Sequence, residues 1–247
     1  METATLYMLE PLQQQGFVLI PSAVAGEEVA RLRVLCEERL TVASNTAIAL
    51  SSRGHVYAAR NVIDAAPELN SVWQTGAIRE FLQNALGEGA GLVRVLFFDK
   101  PPDRTWSLPW HKDRTIAVVD ATLASSRFSC PTHKAGVPHV LAPDDVLKQM
   151  LTLRIHLDDV TDENGPLQVL PGSHTSSDSQ DSGIEHPVTI FAEAGDVLAM
   201  RPLLTHASGA SLPGTTRHRR IVHLEFSASR HLPDGFAWHR FVPLTAM

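Results

Sequence analysis

The sequence predicts a mainly β protein with flanking α-helices, of jelly-roll or double-sheet barrel type. Three observations carry that prediction. Helical periodicity is confined to the first 90 or so residues. From there to about residue 228 the chain is written as short apolar runs broken by Gly, Pro and Asp. One of those runs alternates strictly between aliphatic and polar side chains. Helices followed by many short strands fit packed sheets wrapped by helices.

Taken in order, Glu27 to Leu40 places Val29, Leu32, Leu35, Cys36 and Leu40 at helical spacing. Ile78, Phe81, Leu82, Ala85 and Leu86 repeat the pattern, with Thr75 as N-cap and Gly87 as the stop. The period then changes. Leu92 to Phe98 is a β-branched and aromatic run, closed by Asp99-Lys100-Pro101-Pro102-Asp103, which reads as a turn. In Met150 to Asp158, Leu151, Leu153, Ile155 and Leu157 share one face, and Thr152, Arg154 and His156 share the other. That polar face is either a solvated row or the lining of a polar pocket. Val197 to Arg201 and Arg219 to Phe226 are further strands, and Asp178 to Gly183 is a Ser/Asp-rich loop expected near a pocket mouth. With no internal repeat and no separating linker, one domain is expected. Its helical part covers 1–90, its β core 91–228 and its C-terminal tail 229–247.

Composition narrows the function classes. With 44% hydrophobic and 19% charged residues over 247 positions, the chain has material for a substantial core. A net charge of -6 and the absence of a basic run argue against nucleic acid as partner. No apolar stretch approaches the roughly 20 residues of a membrane span. No basic segment precedes an apolar run at the N-terminus, and Thr245-Ala246-Met247 is not a peroxisomal address. The expected location is the cytoplasm and the expected partner a small molecule. Cys36 and Cys130 alone form neither a disulfide framework nor a cysteine zinc site.

The chemistry concentrates in Trp110-His111-Lys112-Asp113, answered far downstream by His206 in Thr205-His206-Ala207-Ser208. A histidine and a carboxylate two apart on a strand project from one face. One distant histidine completes a cap on a metal ion whose opposite positions stay open, the signature of non-haem Fe(II) oxygenases. Twelve histidines are present, so ordinary hydrogen-bonded histidines stand as the alternative. Downstream, Arg217, Arg219 and Arg220 open a strand. A buried guanidinium needs an anion and its planar fork suits a carboxylate. A metal face beside such an arginine is the layout that holds a keto-dicarboxylate, whereas a solvated strand edge is the plainer reading of Arg217 and Arg220.

Several ordered strings carry a resemblance. They are Pro109 to Val118, His133-Lys134-Ala135-Gly136-Val137-Pro138-His139, Glu163 to His174, Ala194-Gly195-Asp196-Val197, His206-Ala207-Ser208-Gly209 and Arg219 to Phe226. Over roughly residues 92–228 the chain resembles the phytanoyl-CoA dioxygenase family. The resemblance implies a double-stranded β-helix (a cupin-like jelly-roll) using Fe(II), 2-oxoglutarate and O2, with His111, Asp113 and His206 as iron ligands. Counting from the distal histidine as in relatives lands the cosubstrate arginine on Arg217. Matching the string Arg-Arg-Ile-Val-His-Leu-Glu-Phe lands it on Arg219 instead. Arg219 is preferred, because two extra loop residues cost little whereas a shifted strand turns its whole face; Arg217 stays as second choice.

Thr152, Arg154, His156 and Ser208 join these arginines as candidates near cosubstrate or substrate. Lys134, His133 and His139 sit in a segment expected to close over the pocket, and Ser173 and His174 are expected to shape a loop. The reading is an oxygenase that hydroxylates or otherwise oxidises a small organic substrate, releasing succinate and CO2. Two competitors stay open: a cupin-like metalloenzyme without a keto acid, and a non-catalytic small-molecule binder on an oxygenase scaffold.

Overall fold

A computed structural model describes residues 2–40, 49–52, 55–74, 76–102, 105–176 and 186–245. The N-cap expected at Thr75, the loop expected from Asp178 to Gly183, and the last two residues of the chain lie outside the described residues.

Strands β1 (Phe17–Ile20), β2 (Ala49–Ser52) and β3 (His55–Ala59) come first, interleaved with helices that include Glu2–Gln14, Gly26–Arg39 and Gly76–Leu86. Next are β4 (Gly91–Lys100), β5 (Leu108–His111), β6 (Thr115–Ala117), β7 (Ser129–Lys134) and β8 (Val137–Leu141). The chain continues through β9 (Met150–His156), β10 (Leu167–Val169), β11 (Val188–Ile190) and β12 (Val197–Met200). It closes with β13 (His206–Ser208), β14 (Arg219–Ser227) and β15 (Val242–Pro243).

The larger sheet runs β1-β12-β9-β14-β4-β3-β2, with β15 also pairing β4. A second sheet runs β11-β10-β13-β5, and β6, β8 and β7 form a third. Pairing is antiparallel throughout, and early strands sit beside late ones: β4 and β9 flank β14, while β5 and β10 flank β13. That interleaving is the double-stranded β-helix. None of the described helices is long and apolar enough to cross a membrane.

Alternation decides what each face of the larger sheet does. Leu151, Leu153 and Ile155 of β9, Val222, Leu224 and Phe226 of β14, and Leu92, Val95 and Phe97 of β4 turn outward. There they form one core with Leu32 and Leu35 of helix Gly26–Arg39 and Phe81 and Leu82 of helix Gly76–Leu86. Trp73 meets Phe226 edge-on at 5.5 Å in the same layer. The opposite parity of the same strands is left to face the barrel interior.

Two expectations about element boundaries change. The helical N-terminal part also contributes β1, paired with β12, and β3, paired with β4. Phe17-Val18-Leu19-Ile20 is too short to display a period by itself, and it becomes a strand because the β12 edge is there to pair with. The turn expected at Asp99 and Lys100 is strand instead: the two residues pair with Arg220 and Arg219, and β4 stops at Pro101, which has no N–H to give the ladder.

Candidate functional site

A cavity of about 330 Å³ occupies the barrel interior. His111, Asp113 and His206 line it together, with donor atoms that all lie within 4.8 Å of one another. His111 ends β5 and His206 opens β13, and the two are direct partners across the smaller sheet, their rings 4.3 Å apart. Asp113 lies beyond the end of β5 rather than on it. Its N–H donates to the Pro202 carbonyl at 2.9 Å, so a backbone bond and not strand alternation brings its carboxylate round to the histidines. His206 is the first residue of its strand, just past a turn.

Both rings are set for metal binding. His111 Nδ1 donates to the Pro109 carbonyl at 2.7 Å and His206 Nδ1 to the Leu204 carbonyl at 2.8 Å. A carbonyl only accepts, so each Nδ1 carries the proton and each Nε2 keeps its lone pair. Those Nε2 atoms are 3.9 and 3.7 Å from the Asp113 carboxylate. The gaps are too long for hydrogen bonds, but they suit a shared ion: two donors each about 2.1 Å from a first-row metal are at most about 4.2 Å apart. Burial pushes His206 down to about 4, keeping it neutral as a ligand must be. For Asp113, burial raises the carboxyl, but His206, His223, His111 and Arg94 together hold it below its ordinary value.

Beyond the triad the cavity is ringed by cations. Arg219, buried, donates from Nη2 to Ser208 Oγ at 3.2 Å, while its Nε and Nη1 have no partner. Lys100, wholly buried, donates to the same hydroxyl at 2.6 Å and also to the carbonyls of Gly209 and Gly165. Gly165 has φ +66, and a Cβ there would collide with the Gly209 carbonyl, so this close approach requires glycine. Burial, then Arg219 and Arg154, drives the Lys100 amine down to about 6. Burial and Arg154 take Arg219 to about 9.

Along the same sheet face a second network runs through the cavity wall. Arg154 Nη1 donates to His223 Nδ1 at 3.4 Å, and His223 Nε2 donates to Glu225 Oε1 at 3.2 Å. Arg94 closes the chain with bonds from Nε at 2.8 Å and Nη2 at 2.5 Å onto the Glu225 carboxylate. Apolar walls come from Leu96, Phe98, Trp106, Leu108 and Leu167.

The expected residues therefore divide. Arg219, Ser208, Arg154 and Lys134 line the cavity with the triad. Arg217 does not: it precedes β14, is half-exposed, and lies 3.4 Å from Glu163. Thr152 and His156 share the face of Arg154 and are buried, but they stand outside the cavity lining, with His156 Nδ1 held by the Asp196 carbonyl. His133 is exposed and His139 is buried against the Val137 carbonyl, so neither reaches the cavity. Ser173 and His174 shape a loop, through Thr205 N–H onto Ser173 Oγ and His174 Nε2 onto the Gln13 carbonyl. Lys100, Arg94, His223, Glu225, Trp106 and Arg60 escaped the sequence reading.

A family model described as Phytanoyl-CoA dioxygenase matches residues 12–219, reaching into the helical part as well as the barrel. Among solved structures, the chain is similar to the non-heme alpha ketoglutarate dependent epimerase SnoN from nogalamycin biosynthesis. The identity is 17%, covering 95% of this chain and 88% of that one, with a TM-score of 0.66. AviO1 from Streptomyces viridochromogenes is similar at 21% identity, over 90% of this chain and 94% of that one, with a TM-score of 0.64. HygX from Streptomyces hygroscopicus, with nickel and 2-oxoglutarate bound, is similar at 18% identity over 90% and 86%, with a TM-score of 0.62. At such identities the likeness is one of fold.

Proposed function

The chain belongs to the phytanoyl-CoA dioxygenase family, and from that premise we propose that it is a non-haem Fe(II)- and 2-oxoglutarate-dependent dioxygenase oxidising a small organic substrate, with release of succinate and CO2. His111, Asp113 and His206 hold the iron. Arg219 and the Ser208 hydroxyl hold the far carboxylate of 2-oxoglutarate, with Lys100 behind them. The observation that carries this reading is the pair of unpartnered Arg219 nitrogens, Nε and Nη1, buried in the same cavity as the triad. A buried guanidinium left so is costly unless an anion completes it.

When bound, Fe(II) and 2-oxoglutarate supply from O2 the oxidising power that an unactivated carbon requires. The chain's own residues orient and shield. The Pro109 and Leu204 carbonyls fix the two imidazole rings. Leu96, Phe98 and Trp106 keep water from the reacting centre. The Arg154–His223–Glu225–Arg94 chain holds the polar wall in one arrangement.

Hydroxylation is the reaction we favour. The relatives named above include an epimerase, and SnoK from the same pathway is described as a carbocyclase. Succinate formation with Fe(II), 2-oxoglutarate and O2, measured across candidate substrates, tests the proposal. Substrate-stimulated succinate is expected; binding of Fe(II) without any 2-oxoglutarate turnover would contradict it.

A further inference from the structure

Arg60, just past β3, Arg94 on β4 and Lys134 at the end of β7 converge on one wall of the cavity. Arg94 is answered by Glu225, yet its Nη1 is buried without a partner. Among the described residues, the partner of Lys134 Nζ in hydrogen-bond reach is neutral, the Thr115 hydroxyl at 2.9 Å. Among the described residues Arg60 has no hydrogen bond and no carboxylate within ion-pair distance. Five cationic side chains line the cavity against two carboxylates, Asp113 and Glu225.

These cations form two poles. Arg219, backed by Lys100 opposite it, stands at one end of the β4/β14 ladder, and Arg94 opposite Glu225 stands six residues along it. That separation is roughly 20 Å of strand. The far carboxylate of 2-oxoglutarate accounts for the Arg219 pole; at the other, the Glu225 carboxylate stands against Arg94, Arg60 and Lys134 together, which leaves positive charge over.

Resting on the function proposed above, we propose that the substrate carries an oxyanion head group, carboxylate or phosphate, which docks on Arg60, Arg94 Nη1 and Lys134 and so presents the rest of the molecule to the metal. The whole substrate is small. The cavity, about 330 Å³, is near the lower end of ligand sites, which run about 300–1,000 Å³, and 2-oxoglutarate shares it. The electrostatics agree: burial first, and then Arg94, depress both Arg60 and Lys134 below their ordinary values, and the opposing pull of Glu225, joined at Lys134 by Asp113, does not offset them.

The test uses the full chain loaded with Ni(II), which blocks turnover. 2-Oxoglutarate is titrated first. A panel of carboxylic acids and phosphate monoesters follows, each paired with its neutral amide or alcohol, with binding read by calorimetry. At least one anion should bind about tenfold or more tighter than its neutral partner. Whether acids or monoesters lead identifies the head group. Arg60→Gln and Lys134→Met, confirmed as folded by their melting curves, should each erase most of that preference while leaving 2-oxoglutarate affinity unchanged. The inference is overturned if no anion is preferred over its neutral partner, or if the preference survives in the double variant. It is overturned equally if Arg60→Gln weakens 2-oxoglutarate and Arg219→Ala does not, since the poles would then be exchanged. Failure of the Ni(II) protein to bind 2-oxoglutarate at all would overturn the parent reading as well, and that first titration reports it separately.

Discussion

Lys100 and Arg219 stand directly opposite each other on β4 and β14, and both donate to the hydroxyl of Ser208. Charging both in one buried corner is unfavourable, which holds Lys100 toward its neutral form until an anion arrives. Ser208 serves both as an acceptor, and two Arg219 nitrogens, Nε and Nη1, remain open. The corner is thus organised around an anion before one arrives.

Removing the arginine tests that directly. Arg219→Ala should raise the dissociation constant for 2-oxoglutarate at least about tenfold, since a charge-assisted bond is worth on the order of 1.5–3 kcal/mol. Arg217→Ala, which removes only a half-exposed neighbour of Glu163, should leave it unchanged. The reverse pattern would move the cosubstrate out of this corner.

Binding should also take up a proton. Without ligand, Lys100 sits at about 6 and is largely neutral near neutral pH. A carboxylate beside it favours the charged form and raises that value. Up to one proton should therefore be absorbed per 2-oxoglutarate bound, and affinity should fall as pH rises; calorimetry in buffers of different ionisation enthalpy measures both. The same depression makes the unfolded chain hold more protons than the folded one between about 6 and the ordinary lysine value of 10.5. Ligand-free stability should rise with pH across that window on this account. Lys100→Met should abolish the proton uptake.

Neighbours on β9 should separate function from stability. Leu153 is buried among the helix-facing residues, and Leu153→Ala should cost about 2–5 kcal/mol in denaturant unfolding. Arg154 faces the cavity, and Arg154→Ala should weaken cosubstrate or substrate binding with a modest change in melting temperature. Equal effects of both variants on stability, with none on binding, would remove Arg154 from the site.

The Arg94–Glu225 pair should matter through what its loss leaves behind. Glu225→Gln strands a buried guanidinium, which costs about 3–5 kcal/mol when such a pair is broken from one side. Denaturant unfolding should show that loss, and Arg94→Met together with Glu225→Gln should recover part of it.

Much of this was legible in the chain because the signals were local. The seven-residue alternation of β9 needs no knowledge of the rest of the fold. The close spacing of His111 and Asp113 marked the pair, although a bond to Pro202 and not alternation places Asp113. Arg94 and Glu225 were also within reach: Arg94 shares parity with Leu96 and Phe98, and Glu225 shares parity with Arg219 and His223, so the interior face could be read from alternation. They were hidden by lying inside predominantly apolar runs. Arg217 shares the parity of Arg219 too, but parity holds only within a strand, and β14 begins at Arg219. Lys100 had no usable signal, because Asp99-Lys100-Pro101-Pro102 reads locally as a turn and only pairing with β14 makes it strand. Arg60 reaches the cavity solely through the way β3 docks on β4.

The central claim is that His111, Asp113 and His206 bind the iron on which 2-oxoglutarate chelates. An anaerobic titration of 2-oxoglutarate into the Fe(II)-loaded protein, followed by visible absorption, tests it most directly. The wild type should develop a metal-to-ligand charge-transfer band that saturates at one equivalent. Asp113→Ala and His206→Ala should show none while keeping their fold by circular dichroism. A full band in either variant, or Fe(II) and 2-oxoglutarate bound to the wild type without one, would contradict the account.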